Sequence, residues 1–273
     1  MPTFVDKEPI VALLSEEWSA VTELCSGLSE GDYMTPSCLP GWTVKDQLSH
    51  ILGTELMLNG VAAPQVDISH LSHLKNDVAR LIEVWVEDMR SLSGAQVLQV
   101  FTEATRERLI ALNAMPQEDF DAPSWTPVSA DETYGRFMRI RHYDTFMHEH
   151  DIRDALGRED RADPAAIRSA LSEIEPSLGY IVGRRAALPE GSRVRIDLTG
   201  QVQRTYQIEV TGRARVVEQL SAPASVEVSM PVMLFFRLTG GRCEPSQAVK
   251  QQVLLAGDRD LALQLASNLS FTL

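Results

Sequence analysis

Apolar residues recur at helical spacing through the first half of the chain and at alternate positions in parts of the second. Over residues 9–28, Ile10, Leu13, Leu14, Trp18, Val21, Leu24 and Cys25 fall on one stripe, which predicts an amphipathic helix. Pro40-Gly41 marks a turn, and Thr43 stands where an N-cap would start a second helix over 44–57. On that helix Val44, Leu48, Ile51, Leu52 and Glu55 share a face that includes or borders His50. Helical periodicity returns over 74–91 and 94–114, as one bent helix or as two. The stretch 115–131, rich in proline and acid, is long for a bundle turn and is the kind of connector that often borders a site. A last helix over 132–156 is stopped by Gly157. Four principal helices with apolar stripes predict a four-helix bundle over 1–160.

Beyond residue 160 the period changes. A helix predicted over 164–188 is followed by period-two alternation at 192–198, 205–210 and 225–229, the mark of half-buried strands. Residues 231–240 read as a helix, 251–255 as a short strand and 258–266 as a capped final helix. Strands grouped together with helices against one face predict a smaller α+β domain over 161–273, so the fold class is α+β overall. No internal repeat, low-complexity tract or glycine-rich phosphate loop is present.

Composition narrows the function classes. A hydrophobic fraction of 44% with 23% charged residues is that of a globular protein in water. With 38 acidic against 25 basic residues, a net charge of -13 disfavours nucleic acid as a partner. The longest apolar run, 230–236, ends at Arg237 and is far short of a membrane span. The N-terminus lacks a basic region followed by an apolar core, and Cys25, Cys38 and Cys243 show no disulfide or metal-knuckle spacing. The expectation is a reduced cytoplasmic protein with buried thiols.

The chemistry concentrates in residues 138–153. On a helix, Asp144, His148 and Asp151 lie on one stripe, flanked by Ile140, Tyr143, Met147 and Ile152. Asp144 and His148, one turn apart, can each offer a lone pair to one metal ion. His50 on a facing bundle helix would complete a His/Asp/His set with an open position, the arrangement of catalytic zinc. Spacing alone favours the plainer alternative, a hydrogen-bonded core histidine beside a surface ion pair. His142 is badly directed for a ligand and His150 is expected to face solvent. His70 and His73 lack a clustered carboxylate and read as a solvated face. Asp151 either orients a ligand histidine or bonds Arg153 or a nearby loop.

Two segments shift that weighing. Leu39-Pro40-Gly41-Trp42-Thr43, leading into Val44-Lys45-Asp46-Gln47-Leu48-Ser49-His50, resembles the Pro-Gly-Trp-Thr turn and metal histidine of the mycothiol-dependent maleylpyruvate isomerase family. Asp144-x-x-x-His148-x-x-Asp151-Ile152-Arg153, ending in Leu156-Gly157, is similar to that family's second signature. The resemblance implies a DinB-like metal-binding four-helix bundle followed by a sterol-carrier-like α+β domain. It implies that His50, Asp144 and His148 hold a divalent metal, zinc by expectation, although the family usually carries glutamate where this chain has Asp144.

The family's chemistry implies mycothiol as the thiol cosubstrate. A metal-bound thiol is deprotonated and can add to an electrophilic carbon. Addition to a cis double bond, rotation and elimination make an isomerase of maleylpyruvate-like substrates, whereas a retained adduct makes an S-transferase. The segment 235–243 resembles the family's helix ending in Gly-Arg, which implies a functional arginine at Arg242, with Arg237 as substitute. A surface arginine paired with acids is the competing reading for either. The alternative function is a non-catalytic metal- or apolar-ligand-binding stress protein of the DinB-like class. The expected partners are a small-molecule thiol and an electrophile, with no nucleic acid, no membrane and a monomeric state.

Overall fold

Helix α1 (Lys7–Cys25) buries Ile10, Val11, Leu14, Trp18 and Val21, largely the stripe its periodicity marks out. Pro9 sits in its first turn, where a missing amide hydrogen forfeits no intrahelical bond. The computed structural model describes residues 2–71, 74 and 76–271, so His73 lies outside the described residues, while His70 is exposed. The chain divides into two compact units, Met1–Asp160 and Arg161–Leu273.

In the first unit α2 (Glu30–Tyr33) is a single turn capped by Ser29. The start of α3 (Val44–Leu58) is set by a reciprocal capping box. The Asp46 amide donates to the Thr43 hydroxyl (3.3 Å), and the Thr43 amide donates to the Asp46 carboxylate (2.8 Å). A second capping box, Ser93 with Gln96, starts α5 (Gly94–Ala114) as a helix separate from α4 (Asp77–Met89). The periodicity over 74–114 therefore belongs to two helices. The 115–131 connector is shorter as a plain loop than expected. It holds the turn α6 (Gln117–Phe120) and an antiparallel hairpin of β1 (Pro123–Thr126) and β2 (Ser129–Thr133).

Thr133 caps α7 (Tyr134–Ala155), and Gly157 at φ +63° ends its C-terminal turn. The four long helices close a ring, with α1 against α5 and α7, and α3 against α5 and α7. This is the expected four-helix bundle, with α4 added outside α3. Gly53 lets α4 approach, because a Cβ there would fall 2.4 Å from Cβ of Trp85.

The second unit opens with α8 (Pro164–Ile174), capped by Asp163. The predicted continuous helix over 164–188 is broken. A 3-10 turn containing Pro176, the single turn α9 (Leu178–Tyr180) and a π-turn over Ile181–Arg185 replace its second half. Five strands follow: β3 (Arg193–Thr199), β4 (Arg204–Thr211), β5 (Arg213–Val216), β6 (Val226–Pro231) and β7 (Leu254–Gly257). Their order is β5-β4-β3-β6-β7, parallel between β3 and β6 and antiparallel elsewhere. Val194, Ile196 and Leu198 point to the buried face and alternate with Arg193, Arg195 and Asp197.

Helix α10 (Val232–Thr239) is buried along almost its whole length, and α12 (Arg259–Ala266), capped by Asp258, packs on β6 and β7. The strand expected at 251–255 begins only at Leu254. Glu244 caps α11 (Pro245–Gln252), which carries Gln251 and Gln252 into helix. Edge strand β5 was not predicted, since its four residues are too few to show alternation. Thus helices precede a mixed α+β unit, the fold class expected. Buried thiols hold only for Cys25; Cys38 is exposed because it lies in a turn outside the helices, and Cys243 is half-buried. Among the described residues no helix is long and apolar enough to cross a membrane.

The approach at Gly53 makes a test of the α3–α4 packing. Gly53→Ala is expected to destabilise the protein by about 1–3 kcal/mol in chemical denaturation, because Trp85 must be displaced at its root rather than its tip.

Candidate metal centre

The site is organised by the loop that precedes α3. Leu39-Pro40-Gly41-Trp42 forms a type II turn: the Trp42 amide donates to the Leu39 carbonyl (3.1 Å), and Gly41 adopts φ +83°. Across the loop the Ser37 amide donates to the Trp42 carbonyl (2.8 Å), and Pro36 bridges Thr43. This closed loop places the Trp42 ring 5.2 Å from the His50 ring and 6.0 Å from the His148 ring, centroid to centroid.

Helix α3 contributes His50, and α7 contributes Asp144 and His148 from successive turns. The structure brings the three together, with one ligand atom of each within 4.8 Å of the others. His50 Nε2 lies 3.2 Å from Asp144 Oδ2, and His148 Nε2 lies 3.5 Å from Asp144 Oδ1. The aspartate arm, one methylene shorter than the glutamate usual in the family, therefore reaches both imidazoles. Two imidazole nitrogens and a carboxylate oxygen facing one another form a donor set that fits a divalent ion with an open position.

The electrostatics suit such a set. Burial pushes the His50 pKa down to about 4 against the pull of Asp144, so the ring is neutral at neutral pH. Burial also lowers His148, but Asp144 and Asp151 outweigh it and raise its pKa above the ordinary 6.5. Burial opposes the charge on Asp144, yet His50, Arg141 and His148 hold it well below the usual carboxylate range.

Two sets of contacts support the triad. Arg141 donates from Nη1 to Asp144 Oδ2 and from Nε and Nη2 to Glu55 Oε1 (3.0 and 2.9 Å). Arg108 donates to the other Glu55 oxygen (3.4 Å) and to the Tyr134 hydroxyl (2.6 Å). Arg108, Glu55, Arg141 and Asp144 thus alternate in sign from α5 through α3 to α7, so each charge removed from water meets its opposite. On the other side, His148 Nδ1 meets Gln47 Oε1 and lies 3.3 Å from Asp151 Oδ2. Arg153 bonds Glu149 (2.6 Å), whereas Asp151 faces His148 and also accepts from the Cys38 thiol of the loop before α3 (3.2 Å). Both the histidine and the loop readings left open by the sequence therefore hold, and the Arg153 one does not.

The other histidines sort differently. His142 is fully buried, 3.8 Å from Glu17 of α1, and away from the triad. His150 does not face solvent as expected. It is 5% exposed, its Nδ1 donates to the Phe146 carbonyl (2.9 Å), and its ring packs on Phe146. The reason is that α7 is covered by α1, α3 and the hairpin, so it lacks the solvent face that a single apolar stripe suggests. Arg237 lies in the last turn of α10; Arg242 follows Gly241, and its Nη1 donates to the Gly240 carbonyl (2.7 Å). Both belong to the second unit. Gln47, Glu55, Arg141 and the packing of Trp42 against the two imidazoles were not assigned from the sequence. The available signal was polar residues at 47 and 55 on an apolar helix, three before and five after His50.

Two outcomes follow. A proton on His148 Nε2 competes with a metal ion, and its pKa is raised, so zinc affinity should begin to fall at a pH above the ordinary 6.5 of histidine as the solution is acidified. His50 and Asp144 contribute only in acid. Chelator competition across that range measures it, and a flat profile contradicts the assignment of His148. Glu55→Ala leaves two buried guanidinium groups without their shared acid and should cost about 3–5 kcal/mol of stability in denaturant titration.

Comparison with known proteins agrees with this architecture. Residues 14–153 match the family model for the mycothiol maleylpyruvate isomerase N-terminal domain, and residues 168–264 match the C-terminal domain model of that family. Among solved structures, the crystal structure of a mycothiol-dependent maleylpyruvate isomerase superposes with a TM-score of 0.60 at 14% identity. That match covers 94% of this chain and 96% of the other. The structure of a histidine-to-alanine mutant of a mycothiol-dependent maleylpyruvate isomerase gives 0.59 at 14% identity, with the same coverage. At that identity the likeness speaks for the fold. Among curated protein sequences none matches. With both domain models matched in order along most of its length, the chain belongs to the mycothiol maleylpyruvate isomerase family.

Proposed function

We propose that this protein is a metal- and mycothiol-dependent isomerase acting on small cis-unsaturated substrates of the maleylpyruvate type. The observation that carries the reading is the convergence of His50, Asp144 and His148 within 4.8 Å, in a chain of this family. A divalent ion held there, zinc by the donor chemistry, supplies the positive charge that acidifies a thiol. The thiol supplies a reversible nucleophile, whose addition and loss allow a cis double bond to rotate.

The chain's own residues prepare this chemistry. Burial keeps His50 neutral, so its lone pair is available at neutral pH. Arg141 and the imidazoles keep Asp144 ionised, and Arg141 ties one of its oxygens in place. Gln47 and Asp151 hold the far nitrogen of His148. Trp42 packs against both imidazoles. For the substrate's carboxylates we assign Arg242, with Arg237 as the substitute, because a guanidinium can hold a carboxylate through two parallel bonds. Dependence on a reduced low-molecular-weight thiol suits the cytoplasm.

Zinc content by elemental analysis, with turnover of maleylpyruvate in the presence of mycothiol, tests the proposal. The wild type should bind one equivalent and isomerise the substrate, while His50→Ala and His148→Ala should lose both properties. Arg242→Ala should raise KM for the dicarboxylate and leave zinc content unchanged. A wild type that binds no zinc, or that turns over equally well after chelation, ends the metal-dependent reading. Zinc binding without isomerisation would favour S-transfer if an electrophile is conjugated, and a binding protein if none is.

A further inference from the structure

Gln47 is the residue of α3 that neither the fold nor the metal ligands account for. It is fully buried on α3, beside the buried aliphatic residues Val44, Leu48 and Ile51. A primary amide in such a place is tolerated only when its polar atoms find partners. Both ends do: Oε1 faces His148 Nδ1, and Nε2 donates to the Ser37 hydroxyl oxygen (2.9 Å). Ser37 is itself held, since its Oγ accepts from the Leu39 amide (3.2 Å) inside the closed loop that carries Trp42.

The direction of these bonds follows from Asp151. Its carboxylate oxygen stands 3.3 Å from the same Nδ1 and can only accept, so Nδ1 carries the proton. The amide must then turn its oxygen to the imidazole and its NH2 group to Ser37. With Nδ1 protonated, the lone pair of a neutral His148 is on Nε2, the atom 3.5 Å from Asp144 Oδ1. A second tie runs from the loop to the same point, because the Cys38 thiol donates to the other Asp151 oxygen (3.2 Å). Neighbouring residues of one loop, Ser37 and Cys38, thus end on the two acceptors of one imidazole N–H.

We propose that Gln47 is a positioning residue: anchored by Ser37, it gives the Nδ1–H of His148 a second and closer acceptor beside Asp151, and so strengthens that tautomer, holds the ring orientation and aims Nε2 at the site shared with His50 and Asp144. Asp151 is the weaker of the two acceptors by distance, and the loop transmits its own order to the ligand set. The inference rests on the reading of His148 as a metal ligand. Outer contacts of this type are worth about 10–100-fold in metal affinity.

The test compares wild type, Gln47→Leu, Gln47→Glu and Ser37→Ala. Zinc affinity is measured by chelator competition, and the His148 tautomer by nitrogen-15 NMR of the metal-free protein at alkaline pH. Gln47→Leu should weaken zinc binding about 10–100-fold and mix the tautomers. Gln47→Glu, which keeps an acceptor at the same place, should restore affinity to within a few-fold and retain the Nδ1–H form. Ser37→Ala, which leaves the core untouched, should shift both readouts in the same direction by less. Wild-type affinity with a single tautomer in Gln47→Leu would overturn the proposal, as would equal losses in the leucine and glutamate variants. If the wild type binds no zinc, the ligand reading fails, and the tautomer comparison still decides the role of Gln47.

Discussion

A half-buried carboxylate between two imidazoles and a guanidinium is the interaction on which the N-terminal unit depends. Asp144 is only partly withdrawn from water, and the cation and imidazoles around it hold its carboxyl well below the usual carboxylate range. Arg141 is the compensating cation, and Arg141 in turn needs Glu55, which is shared with Arg108. The chain of alternating charges therefore ties α5, α3 and α7 together through the bundle. Side chains at its far end, Arg108 and the Tyr134 hydroxyl, belong to the same compensation as Asp144 and its two imidazoles.

This arrangement sets the character of α7. Its polar residues are not a solvent face but two inner stripes, one turned toward α3 and one toward α1. On the first, Asp144, His148 and Asp151 meet His50, Gln47 and Cys38. On the second, His142 meets Glu17. Neutral imidazoles and paired charges make such a helix tolerable inside a bundle, since its arginines and acids are set against partners of opposite sign. The closed loop ahead of α3 completes the first stripe. Its type II turn requires the positive φ of Gly41, and from that turn Trp42 reaches both imidazoles.

Much of the site was legible because its elements announce themselves locally. Thr43 and Asp46 specify the start of α3 by a box of four residues, which fixes the phase of His50 on the helix. Asp144 and His148 are neighbours by helical spacing alone. His150 was misplaced because the same spacing argument assumes a helix with one wet side. In α7, packed by α1, α3 and a hairpin, that assumption fails. The 164–188 helix was overextended because periodicity does not register that Pro176 interrupts the ladder, and β5 was too short to alternate.

Sequence alone determined the long helices and the longer strands, the break between a helical and a mixed half, and the three residues able to share an ion. These follow from period, capping chemistry and the two motif-bearing segments, all read within a few turns of chain. Only the tertiary structure decided that Glu55 and Arg141 pair, that Gln47 meets His148, and that Asp151 turns to the histidine instead of Arg153. Glu55 and Arg141 are 86 residues apart, and Gln47 and His148 are 101 apart. At such separations only the relative rotation of two packed helices chooses the partner, and that rotation is set by side-chain packing across the whole bundle.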